Sequence, residues 1–110
     1  MILFNTTFCV DSAIAPAFIA FVKDTYLPLA TDSGLHSVLL TEMRAAAEPD
    51  ASGKLPRTLA LQMRAPSDKV LNDFRSDILP ALYESMARQW GMGVAMFESI
   101  LDVLHDLSAQ

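Results

Sequence analysis

Glu98 sits between Phe97 and Ile100 in the most apolar part of this 110-residue chain. A carboxylate in such surroundings needs a partner or a raised pKa. Asn5 on a first strand could polarise a carbonyl, with Glu98 or His36 as the base, provided the three groups converge on one pocket. Those are the candidate catalytic residues. Cys9 as a nucleophile would need a base that nothing in the sequence identifies, so it reads as a small buried hydrophobe. His36 and His105 lie far apart, with no His or Cys at ligand spacing beside either, so no metal site and no cofactor is expected. Gly91-Met92-Gly93 follows a helix instead of preceding one and serves as punctuation rather than a phosphate loop. Asp73 and Asp77, interleaved with Lys69 and Arg75, solvate the outside of a helix.

These residues are carried by elements whose periodicities follow in a definite order. Ile2, Phe4, Phe8 and Val10 alternate onto one side of a strand, with Leu3, Asn5, Thr7 and Cys9 on the other. Asp11 and Ser12 offer capping oxygens, and Ile14, Phe18, Phe21, Val22, Thr25 and Leu29 recur as one helical face. Pro28 predicts a kink or break near Tyr26 to Pro28, and Gly34 a stop. Strands are predicted over Leu35 to Ala47 and Leu55 to Ala65, joined by the turn-rich Glu48 to Lys54. Ser67 caps a second helix with Leu71, Phe74, Ile78, Leu82, Met86 and Trp90 as its buried stripe; Pro80 interrupts it, and Gly91 and Gly93 close it. Val94 to Leu104 reads as a last strand, although Phe97, Ile100, Leu101 and Leu104 also fit a helix.

The order β-α-β-β-α-β with right-handed crossovers predicts an α+β fold: a ferredoxin-like sandwich with a four-stranded antiparallel sheet and two helices on one face. Residues 1–110 are expected to form one domain, burying about two-thirds of the unfolded surface. Hydrophobic residues make up 52% of the chain, a surplus for a two-layer protein whose sheet would have one wet face. A second copy covering that face, as in a dimeric α+β barrel, accounts for the surplus, and a ligand pocket between the sheets competes for the same surface. Asn5, Thr7 and Gln62 share the parity of that face, so a ligand there would meet them first.

Partners of other kinds are disfavoured. A formal net charge of -5 with no block of Lys or Arg argues against nucleic acid. The longest apolar run, Ala13 to Val22, is about half of what a membrane-spanning helix needs. The N-terminus lacks the positive charges of a signal peptide, so a cytoplasmic location is expected.

Ile2, Phe4-Asn5-Thr6-Thr7, Val10-Asp11, Tyr26, Pro28, Gly34, Leu61-Gln62, and Phe97 followed by Ser99-Ile100-Leu101-Asp102-Val103 resemble an uncharacterised bacterial family of short proteins. Its members open with Ile-Tyr-Asn-Thr-Thr and close with a Phe-x-Thr-Leu-Met-Glu-Val-like strand. Phe4 stands here where the family has Tyr, and Ser99 and Asp102 stand where it has Thr and Glu. The resemblance implies a domain of the dimeric α+β barrel type and brings no activity. From the apolar surplus, the acidic charge and the absence of a recognisable catalytic group, the expected function is a homodimeric domain, without catalytic activity, that binds a small apolar or aromatic molecule or serves as an interaction module. The alternative is a cofactor-independent oxygenase or isomerase acting on a hydrophobic substrate in the barrel cavity.

Overall fold

The structure is a computed structural model that describes residues 1–44 and 55–107. Its four strands are β1 (Ile2–Val10), β2 (His36–Glu42), β3 (Arg57–Ala65) and β4 (Val94–Asp102). They form one antiparallel sheet in the order β2-β3-β1-β4. With the helices between β1 and β2 and between β3 and β4, this is the ferredoxin-like fold. β1 is paired along its whole length on both sides, from Ile2 opposite Ala65 and Asp102 to Val10 opposite Arg57 and Val94. The predicted hairpin turn Glu48 to Lys54 lies outside the described residues.

The β1–β2 and β3–β4 connections are each a helical rod in two segments. The first comprises α1 (Ala15–Phe21), a π-helical turn at Val22–Tyr26, and α2 (Leu27–Asp32); the second comprises α3 (Asp68–Asp73), a π-helical turn at Phe74–Ile78, and α4 (Leu79–Trp90). Both π turns immediately precede a proline near the start of the next segment, Pro28 and Pro80. Proline has no amide to donate and its ring crowds the carbonyl four residues back, and a wider turn absorbs both effects without ending the rod. The predicted kink is thus a π turn. It also moves the buried stripes. Tyr26 and Ala30 are buried where Thr25 and Leu29 were expected, and Leu79 is buried where Ile78 was expected, because each wider turn advances the inward face by one residue.

Ser67 caps the second rod by accepting a hydrogen bond from the Val70 amide, as its position before Asp68 predicts. The first rod ends at Gly34, where φ is +100° and the Leu35 amide reaches back to the Ala30 carbonyl. Leu35 is accordingly a buried turn residue instead of the first residue of a strand, and β2 is shorter than expected. A bulge between His36 and Leu39, with Ser37 at φ 54°, resets the parity of β2. Val38 and Leu40 therefore pack on the core while Leu39 faces away.

The core lies between the rods and one face of the sheet. Phe4, Phe8, Leu61 and Met63 from the strands meet Phe18, Tyr26, Phe74 and Leu82 from the rods, all buried. Edge-to-face ring contacts knit it together, with Phe8 and Phe18 centroids 5.0 Å apart and Trp90 5.5 Å from Phe18. The opposite face carries Leu39 at 55% exposed, Phe97 at 63% and Leu101 at 48%. Cys9 is exposed on that same face, contrary to its expected burial, since the rods leave it uncovered. Among the described residues no helix is long and apolar enough to cross a membrane.

Candidate functional site

β4 is an edge strand, and the second rod covers it incompletely. Its residues opposite the core positions of β1 are Val94, Met96, Glu98, Ile100 and Asp102, so these side chains turn toward the rods. Met96 and Ile100 nevertheless stay 38% and 48% exposed. The gap between β4 and the second rod is an open cleft of about 640 Å3, lined by Asn72, Arg75, Ser76, Leu79, Pro80, Tyr83 and Glu98. That volume falls within the roughly 300–1,000 Å3 of small-molecule sites.

Glu98 is the centre of the cleft and both of its carboxylate oxygens are engaged. Arg75 Nη2 donates to Oε1 at 3.0 Å, and the Tyr83 hydroxyl donates to Oε2. Arg75 comes from the π turn and Tyr83 from α4, two helical turns further along the same side of the rod. The guanidinium also lies 5.9 Å from the centroid of the Phe4 ring, which fixes its stem over the sheet. An apolar strand residue position is thus supplied with the partner that its carboxylate requires.

Behind Tyr83 lie two hydroxyls of a different kind. Thr6 Oγ1 and Tyr26 Oη are fully buried and find no hydrogen-bond partner among the described residues. Burial is the main cause that pushes the Tyr26 phenol well above the ordinary tyrosine range; the nearby Glu98 charge adds to it, while Thr6 and Tyr83 pull the other way. The Tyr83 phenol is raised for the same first reason, and its hydrogen bond to Glu98 reinforces the shift. Both phenols therefore remain protonated donors across the ordinary pH range. A carboxylate with two standing donors is not a free base, so the array as it stands is suited to hydrogen bonding rather than to proton abstraction.

The residues expected from sequence fall into two groups. Asn5 lies directly opposite Gln62 on β3 and Ser99 on β4, and Thr7 opposite Ala60 and Phe97, all on the sheet face away from the rods. The shared parity of Asn5, Thr7 and Gln62 is as the alternation predicts. His36 is exposed on the far edge strand, paired with Arg64 in register and bonded through Nδ1 to Ser37 Oγ at 2.9 Å. Glu98 is on the other face. Asn5, His36 and Glu98 accordingly do not converge, and a mechanism that needs all three in one pocket is ruled out by sheet parity. Among the described residues no three His, Cys, Asp or Glu side chains are grouped to hold a metal ion. Sequence reading missed Arg75, Tyr83 and Asn72; the spacing of Arg75, Leu79 and Tyr83 by four is the signal that could have placed them on one side of the helix.

Three solved structures share this fold across nearly their full length. A dimeric ferredoxin-like protein from an uncultured marine organism superposes with a TM-score of 0.68 at 7% identity, covering 97% of this chain and 98% of the other. A protein of Mycobacterium tuberculosis gives 0.62 at 18%, covering 97% and 99%. A candidate antibiotic biosynthesis monooxygenase from Deinococcus radiodurans gives 0.62 at 11%, covering 97% and 96%. No curated protein matches the chain. The model of a domain of unknown function, DUF4286, matches residues 1–104, and the opening and closing strands that suggested an uncharacterised family are inside that span. The chain belongs to the DUF4286 family.

Proposed function

We propose that this protein is a homodimeric small-molecule-binding domain in which each protomer holds an apolar ligand in the cleft between β4 and the second rod. The observation that supports it is the Arg75–Glu98–Tyr83 array at the base of a cavity of about 640 Å3 whose remaining walls include Leu79 and Pro80. A few fixed polar groups set in an apolar concavity are what orient a small ligand. Dimerisation would bury Leu39, Phe97 and Leu101 by packing two outer sheet faces together, and two neighbours in fold are dimeric ferredoxin-like proteins. Asn5, Thr7 and Gln62 would then lie between the sheets, hydrogen-bonding across the interface or meeting a ligand enclosed there.

A second reading, a cofactor-independent oxygenase or isomerase, draws on the pairing of a carboxylate with a phenol in the cleft and on the fold neighbour from Deinococcus radiodurans. It requires Glu98 to give up Tyr83 before acting as a base, with Asn5 and His36 taking no part.

Titration with Nile red, an uncharged dye that brightens in apolar surroundings, tests the cleft. Ser76→Trp, which fills the cleft from an exposed helical position, is expected to abolish the signal, while Leu101→Glu should split the dimer in light scattering and leave the dye bound. Dye binding that survives Ser76→Trp but not Leu101→Glu would move the site to the inter-sheet face. A wild-type monomer would refute the dimer.

A further inference from the structure

A second, smaller cavity of about 110 Å3 opens on the far side of the Tyr83 ring, walled by Met86, Ala87, Val94 and Met96 together with Gly91. Tyr83 is the wall common to both cavities. From Pro80 to Ala87 the helix advances about 10 Å. Over the same stretch β4 runs from Glu98 to Met96, two residues apart on one face. The two cavities therefore lie in line along one seam between α4 and β4.

Their chemistry differs. The small cavity is walled largely by apolar side chains, including two methionines whose flexible thioethers adapt to the shape of what they cover. The large one holds all the polar groups. Glu98 has both oxygens engaged and its charge is balanced by Arg75. Asn72 makes no side-chain hydrogen bond among the described residues, and Arg75 spends only Nη2 on Glu98. The groups left for a ligand are thus an amide, which both donates and accepts, and the remaining guanidinium N–H donors. Because Glu98 already neutralises Arg75, a carboxylate head would meet no uncompensated positive charge in the cleft, on a chain of net charge -5.

Resting on the small-molecule-binding reading above, we propose that the ligand is an elongate amphiphile with an uncharged, carbonyl-bearing head seated on Asn72 and Arg75. Its apolar chain runs past Tyr83 and covers Met86 and Met96. This accounts for the exposure of Met96, a large apolar side chain turned toward the rods yet left open at the edge of the sheet.

Calorimetric titration of the full chain with octanamide and with octanoate tests both parts. Octanamide is expected to bind at least tenfold tighter than octanoate. Ala87→Trp, which fills the small cavity from an exposed helical position, is expected to weaken octanamide tenfold or more while Nile red still binds in the large cavity. Asn72→Ala should reduce the preference for the amide and leave the fold unchanged by circular dichroism. Equal or tighter binding of octanoate overturns the uncharged head. An octanamide affinity indifferent to Ala87→Trp overturns the path of the chain. If neither compound binds while Nile red does so in a manner blocked by Ser76→Trp, this proposal fails and the binding cleft stands. If Nile red also fails to bind, both fall.

Discussion

Replacing Tyr83 by Phe removes one oxygen and keeps the ring that walls both cavities, so it isolates the hydrogen bond to Glu98. A hydrogen bond to an ionised group contributes about 1.5–3 kcal/mol. The Glu98 side chain is 21% exposed, so water can take over part of the role of the lost donor, which puts the cost at the lower end, about 1.5 kcal/mol. For a chain of this length that corresponds to a fall in Tm of about 6 °C. Glu98→Gln removes the charge and with it the ion pair to Arg75, whose 39% exposure limits that pair to below about 1 kcal/mol. In the Glu98→Gln background the phenol faces a neutral amide, and Tyr83→Phe should then cost only about 0.5–1 kcal/mol. The assay is urea unfolding of the four proteins of a double-mutant cycle, with unchanged m-values as the check on two-state behaviour. The cycle should return a coupling of about 0.5–1 kcal/mol. A coupling below about 0.3 kcal/mol, or a Tyr83→Phe protein as stable as the wild type, would show that Tyr83 and Glu98 do not form the array on which the proposed site depends.

The chain has two tyrosines, Tyr26 and Tyr83, and both phenols are raised by burial. A raised folded-state value means that above about pH 10 the unfolded chain has released protons that the native state retains, so this contribution to stability is complete below pH 10 and declines as pH rises beyond it. Alkaline titration followed by phenolate absorbance should therefore show no ionisation of the native protein near the usual tyrosine value, and both tyrosines should ionise together as the protein unfolds; reversible native ionisation near pH 10 would contradict the burial. Gly34→Ala should lower stability by about 1–3 kcal/mol in urea unfolding, because φ is +100° there and the new Cβ would sit 3.4 Å from Val70 Cγ1. A neutral result would mean that the turn into β2 adopts another conformation.

Local periodicity carried much of the architecture. β1 occupies Ile2–Val10 with the expected faces, Ser67 and Gly34 mark a helix start and stop as their chemistry demands, and Asn5 and Gln62 share a face because alternation leaves no other choice. Where expectation and structure part, a local irregularity shifts the count by one residue. The π turns before Pro28 and Pro80 exchange Thr25 for Tyr26 and Ile78 for Leu79, and the bulge between His36 and Leu39 shifts the parity within β2, so that Leu35 and Val38 both face the core. A sequence period reports the average turn: the prolines mark where the rods are perturbed, but not that one residue is gained there.

The cleft lies further from what sequence can show. Glu98 was conspicuous as a carboxylate in an apolar strand, and the need for a partner followed from electrostatics alone. Which partner depended on the sheet order, which puts β4 beside β1 at the edge and under the second rod, bringing Arg75 to Glu98 across 23 residues and Tyr83 across 15. The same order separated Asn5 from Glu98, because neighbours of opposite parity in a sheet face opposite sides however close they lie. Residue type and alternation determined that this chain has a buried sheet face, an apolar exposed one, and a carboxylate in search of a counterpart. Only the tertiary structure decided which groups meet it, since contacts between distant segments are chosen by the packing of whole elements.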